Sequence, residues 1–92
     1  MYQIVYTSQM KKGVRLMKKR GKDLEKLEKV LFQLASGCQL PPQNRDHQLI
    51  GDMRDFRECH IEPDWLLIYR LYDDLLILSA TATGSHSDLL EK

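Results

Sequence analysis

The chain has 92 residues, an apolar fraction of 42% and a formal net charge of +1. That size bounds one domain, residues 1–92, around one hydrophobic core, and the composition is that of a folded rather than a disordered chain. No apolar run approaches the ~20 residues that span a membrane, the N-terminus Met1-Tyr2-Gln3-Ile4-Val5-Tyr6 has no signal-peptide pattern, and Cys38 and Cys59 share no ligand spacing, so they read as reduced thiols of a cytoplasmic protein with no membrane partner.

Tyr2–Tyr6 alternates and is rich in β-formers, which predicts a first strand. Thr7 or Ser8 caps a helix over residues 9–20, where Met10, Val14, Leu16 and Met17 lie among cations. Gly13 weakens that helix and Gly21 ends it. A second helix is predicted from about Asp23 to Ser36, with Leu24, Leu27, Leu31 and Leu34 as its apolar stripe. Asp23 and Glu25 suit the positive end of its dipole, Glu25 and Lys29 form an i, i+4 pair, and Gly37 ends it. Residues 37–51, with Pro41-Pro42, read as a loop. Asp52–Ile61 predicts a partly alternating strand, Trp65–Leu71 a central strand covered on both faces, and Leu75–Thr83 the last strand. Pro63 suits the second position of the turn at Glu62-Pro63-Asp64, Asp73-Asp74 marks the next hairpin, and Ser85 or Ser87 starts a short helical turn. The order β-α-α-β-β-β indicates an α+β domain with both helices on one sheet face.

Charge divides along the chain. Residues 1–50 carry ten Lys/Arg against four Asp/Glu; residues 51–92 carry four against nine. Lys11, Lys12, Arg15, Lys18, Lys19, Arg20 and Lys22 form a basic stretch without an acid. Such a stretch can steer a polyanion, although the charge alone favours a solvated helix face.

The candidate chemistry is acid–base. The three histidines, His47, His60 and His86, each fall in a loop or at a strand end. Imidazole both gives and takes a proton near neutrality. His60 and Asp64 flank the Pro63 turn, close enough for the carboxylate to orient the ring. The same spacing also describes a turn aspartate beside a half-exposed strand histidine. His86 follows Gly84, whose backbone freedom can aim the next side chains into a cleft. The separations are too long and irregular for a zinc site, so no metal or other cofactor is expected. Phe56, between Arg54 and Arg57, is the aromatic suited to base stacking.

Three segments together resemble the YafQ branch of the RelE/ParE toxins: Asp46-His47-Gln48-Leu49-Ile50-Gly51, Phe56-Arg57-Glu58-Cys59-His60-Ile61-Glu62-Pro63-Asp64-Trp65, and Thr83-Gly84-Ser85-His86-Ser87-Asp88-Leu89. The resemblance covers essentially the whole chain and implies the RelE-like fold: an antiparallel sheet with two N-terminal helices on one face. It implies the toxin of a type II toxin–antitoxin pair, a metal-independent mRNA endoribonuclease that enters the ribosomal A site and cuts the codon there by 2′-hydroxyl attack. Its partners would be an antitoxin, the ribosome and mRNA, with operator DNA reached only through the antitoxin. Matched residue by residue, His86 is the general acid, His60 and Asp64 form the base region, and His47 is a further active-site histidine. Arg57 or Arg54, with Lys11, Arg15, Lys18 and Lys22 of the basic stretch, would contact RNA. The chain departs from the family at Ala82, where similar toxins often carry an arginine, and at Leu90, where they often carry an aromatic. Those departures define an alternative, a toxin that binds antitoxin and ribosome without efficient cleavage. The other alternative is an inhibitory binder like the gyrase-directed ParE branch, which lacks this histidine set.

Overall fold

A computed structural model describes residues 1–90, without the side chain of Leu90, so the expected departure at that position lies outside the described residues. The elements are β1 (Gln3–Tyr6), α1 (Ser8–Lys19), α2 (Leu24–Ala35), β2 (His47–Gln48), β3 (Arg57–Glu62), β4 (Trp65–Tyr72), β5 (Ile77–Gly84) and α3 (His86–Leu90). They form an α+β fold with one five-stranded sheet in the order β1-β5-β4-β3-β2.

Local chemistry sets the helices. Thr7 caps α1 by accepting from the Met10 amide, and Asp23 caps α2 by accepting from the Glu25 amide. Both helices end in a glycine at positive φ, Gly21 at 83° and Gly37 at 79°. The amides of Gly21 and Lys22 close on the Lys18 and Met17 carbonyls, and those of Gly37 and Cys38 on Leu34 and Gln33, satisfying the last carbonyls in Schellman fashion.

The helices cover one sheet face. Met10 and Met17 of α1, and Leu27, Val30, Leu31, Leu34 and Ala35 of α2, bury against Cys59, Trp65, Leu67, Tyr69, Leu78 and Ala80 of the strands. Gly13 is essential to this packing. A Cβ there would collide with the Thr83 carbonyl of β5, so its lack of side chain lets α1 lie directly on the sheet. Trp65 is fully buried and still satisfied, its indole N–H donating to Thr83 Oγ1 at 2.9 Å.

Three expectations are refined. Strands β2 to β5 are antiparallel, as expected, but β1 joins β5 in parallel and makes that edge mixed. The strand expected from Asp52 starts only at Arg57, because Gly51, at φ 70°, opens a 3-10 turn that consumes Asp52 and Met53. The loop of residues 37–51 contributes the two-residue β2, which pairs His47 with Glu58 and Gln48 with Arg57. No helix among the described residues is long and apolar enough to cross a membrane.

Candidate active site

The face of the sheet away from α1 and α2 carries the histidines. On β3, Cys59 packs into the helix-side core, so alternation turns Glu58 and His60 to the open face. Strand pairing then places residues in rows across the sheet. One row is His60, Leu66 and Gly84; the next is His47, Glu58, Ile68 and Ala82. A bulge in β5, between the partners of Ile68 and Tyr69, shifts the phase so that Ala82 follows Ile68 onto the open face.

His86 opens α3 at the end of β5. Its Nδ1 lies 2.6 Å from Asp64 Oδ1, and its backbone N–H donates to the same oxygen at 2.8 Å. These two hydrogen bonds, the backbone one first, hold the Asp64 carboxyl below its ordinary range. With Nδ1–H given to Asp64, Nε2 is the nitrogen left for a substrate. The expected His60–Asp64 pairing is therefore replaced by His86–Asp64. His60 turns back along its own hairpin, Nδ1 at 3.3 Å from the Pro63 carbonyl. The two rings face each other at a centroid distance of 5.6 Å, tilted by 54°.

His47 enters from β2. Its Nε2 contacts Glu58 Oε1 at 3.2 Å, and His60 Nε2 lies 3.9 Å from the same oxygen. Glu58 is 6% exposed, and its Oε2 is buried with no hydrogen-bond partner among the described residues. The sequence reading passed over Glu58; its signal was the two-residue step to His60 within a strand. His47, Glu58, His60, His86 and Asp64 thus form one continuous group on one face.

The glycine before His86 acts differently from expectation. Gly84 does not adopt positive φ. It is required because a Cβ there would stand 2.8 Å from Asp88 Cβ, so α3 can fold tightly against the strand end. Asp88 accepts from the Ser85 amide at 2.8 Å and pairs with Arg20 at 2.7 Å, tying α3 to the end of α1. Arg20 and then the Ser85 amide hold its carboxyl far below the ordinary range.

The cations also redistribute. Arg57 alternates away from Glu58 and engages Asp46 Oδ1 and Tyr69 OH, each at 3.3 Å. It braces the loop that delivers His47 rather than offering its charge to the open face. Arg54 stays exposed in the turn after Met53, its carbonyl accepting from Gln48. Lys22 falls beyond α1, past Gly21, and pairs with Glu62 at 2.8 Å, as Lys26 does at 2.9 Å. The exposed basic face of α1 instead comprises Lys11, Lys12, Arg15, Lys18 and Lys19, and an open groove of about 800 Å³ runs among the last four and Leu16.

Neither cysteine has the setting of a nucleophile. Both are free thiols; burial, followed by the charges of Asp46 and Glu58, pushes Cys59 up to about 12, and Cys38 lies on the surface. No three His, Cys, Asp or Glu side chains among the described residues are arranged to hold a metal ion.

The mRNA interferase toxin YafQ of Escherichia coli strain K12 is 42% identical over 87 residues, which cover 94% of this chain and 92% of that protein. The crystal structure of the E. coli DinJ-YafQ complex superposes with a TM-score of 0.89 at 37% identity, covering 98% of this chain and 99% of the other. That of a metal-bound toxin from Helicobacter pylori gives 0.92 at 39% identity, covering 98% and 100%. The family described as bacterial toxin of type II toxin-antitoxin system, YafQ, matches residues 2–91. With the match running the length of the chain and the fold shared throughout, the protein belongs to the YafQ family of bacterial toxins.

Proposed function

We propose that this toxin is a cytoplasmic mRNA endoribonuclease, neutralised by a cognate antitoxin, that enters the ribosomal A site and cleaves mRNA without a metal. The observation that carries the reading is the oriented His86–Asp64 pair, at 2.6 Å, facing His60 across the open sheet face. RNA cleavage by its own 2′-hydroxyl needs one group to take a proton and one to give it.

In the reaction, His60 takes the 2′-hydroxyl proton as the oxygen attacks the adjacent phosphorus. The bond to the 5′-oxygen breaks, and His86, as imidazolium, protonates that leaving oxygen from Nε2. The products are a 2′,3′-cyclic phosphate and a 5′-hydroxyl. Asp64 moves from the base region to orienting and balancing the acid. Glu58 Oε1 faces both His47 and His60 and offers a nearby negative charge to a protonated His60. The exposed cations of α1 supply attraction to ribosomal RNA or to an acidic antitoxin. The similarity to a toxin solved as DinJ-YafQ supports an antitoxin partner.

Induced expression followed by primer extension tests the reading. The expected result is growth arrest with new 5′ ends inside translated codons, reversed by the antitoxin. Arrest with intact mRNA would support the non-cleaving binder, which Ala82 favours because it leaves the row beside the histidines without an arginine.

A further inference from the structure

Arg70 is the one lysine or arginine on the strands of the open face among the described residues. Alternation along β4 sets Leu66, Ile68, Arg70 and Tyr72 on that face, opposite the core residues Trp65, Leu67 and Tyr69. Its cross-strand partner is Ser79 of β5, one row beyond the row of Glu58, Ile68 and Ala82. The guanidinium carbon lies over two half-buried rings, 4.5 Å from the centroid of Tyr72 and 5.8 Å from that of Phe56. No carboxylate among the described residues pairs with it.

This is unusual for a half-buried cation. Carboxylates engage Arg20, Lys22, Lys26 and Arg57. Arg70 is fixed by aromatic faces alone, which leave its in-plane N–H donors uncommitted. A guanidinium resting on aromatic rings has already lost part of its rotamer freedom, so less is lost when it meets an anion, and its planar fork suits two phosphate oxygens. Rows on one strand are ~6.8 Å apart, so Arg70 is rooted two such steps from the row of His60. That is too far for the scissile phosphate and suits a neighbouring one.

We propose that Arg70, clamped by Phe56 and Tyr72, is a backbone-phosphate subsite for single-stranded RNA, positioning a nucleotide beside the one that is cut. The proposal rests on the endoribonuclease reading. It assigns the electrostatic track of this face to Arg70, with Arg57 serving the His47 loop instead. The subsite acts on binding rather than on the chemical step, because its phosphate does not change charge during the reaction.

The test is single-turnover cleavage of ribosome-bound mRNA over a range of toxin concentration and salt, comparing the wild type with Arg70→Gln and Arg70→Lys. Arg70→Gln is expected to raise the half-saturating concentration about tenfold, with the rate at saturation within about twofold of wild type. The salt dependence of binding should flatten by about 0.7 in log–log slope, the loss of one single-strand phosphate contact. Arg70→Lys, which keeps charge but loses the planar stack, should fall between, with the slope retained. Thermal melting of each variant within a few degrees of wild type confirms folding. If the wild type cleaves and Arg70→Gln keeps its half-saturation and salt slope, the subsite is wrong and the endoribonuclease reading stands. A loss confined to the rate at saturation also overturns it. No cleavage by the wild type would instead remove the reading on which the subsite rests.

Discussion

The pairing of His86 with Asp64 shows how one carboxylate can serve as both cap and orienter. Its Oδ1 accepts from the ring and from the first amide of α3, so ring and backbone are fixed by a single atom. Asp64→Asn keeps the side chain's size but removes the charge that supports an imidazolium. It is expected to lower single-turnover cleavage by about 10²-fold, with the antitoxin-bound complex unaltered in affinity. Unchanged cleavage would place Asp64 in the cap alone. The sequence singled out Asp64 and all three histidines as candidates, and the fold gathers them on one face, but it joined Asp64 to His60 across the Pro63 turn. The real partner is 22 positions away. It becomes a neighbour only because β5 returns alongside β4 and ends at the β3–β4 hairpin, a tertiary fact that local spacing does not contain. Glu58 was legible in principle from strand alternation; Arg57, offered through the family resemblance, lies on the other side of that alternation, against Asp46 and Tyr69.

Among the elements, α1 and α3 hold the site through a close approach and an ion pair. Gly13 lowers helix propensity by about 1 kcal/mol relative to alanine. Packing reverses the preference, since an alanine Cβ meets the Thr83 carbonyl, a backbone atom with no rotamer to yield. Gly13→Ala is expected to destabilise the protein by about 1–3 kcal/mol in urea unfolding; a gain in stability would show that α1 can slide without cost. The Arg20–Asp88 pair secures α3, and hence His86, to the end of α1. Asp88 has its folded value depressed, so its stabilising effect is complete above the unfolded carboxylate value, about 3.9, and is lost as pH falls through the lower folded value. Hydrogen exchange of the α3 amides, taken relative to the intrinsic rate at each pH, should therefore quicken in acid in the wild type. In Asp88→Asn it should be fast already at neutral pH, with cleavage reduced on the order of 10²-fold by misplacement of His86. The helices and their glycine stops were legible because caps and apolar stripes are local. The parallel β1–β5 pair and the tiny β2 were not, since both depend on partners far along the chain.

At the scale of the whole molecule, two surfaces divide the charge. The basic face of α1 lies on the helix side, while the histidines occupy the opposite sheet face. Replacing Lys12, Arg15, Lys18 and Lys19 by Gln is expected to weaken ribosome association and reduce its log–log salt slope by roughly 3, with the rate at saturation retained; an unchanged slope would reduce that face to solvated surface. Lys22 is left out of this set because Glu62 already neutralises it. The most direct test of the central claim is cleavage by purified His86→Gln on programmed ribosomes, with and without a chelator. The account predicts that the variant melts like the wild type, binds antitoxin normally and cleaves ~10²–10⁴-fold more slowly, and that the wild type yields 2′,3′-cyclic phosphate ends at the same rate in chelator. Near-normal cleavage by His86→Gln, or loss of wild-type activity on chelation, would contradict it.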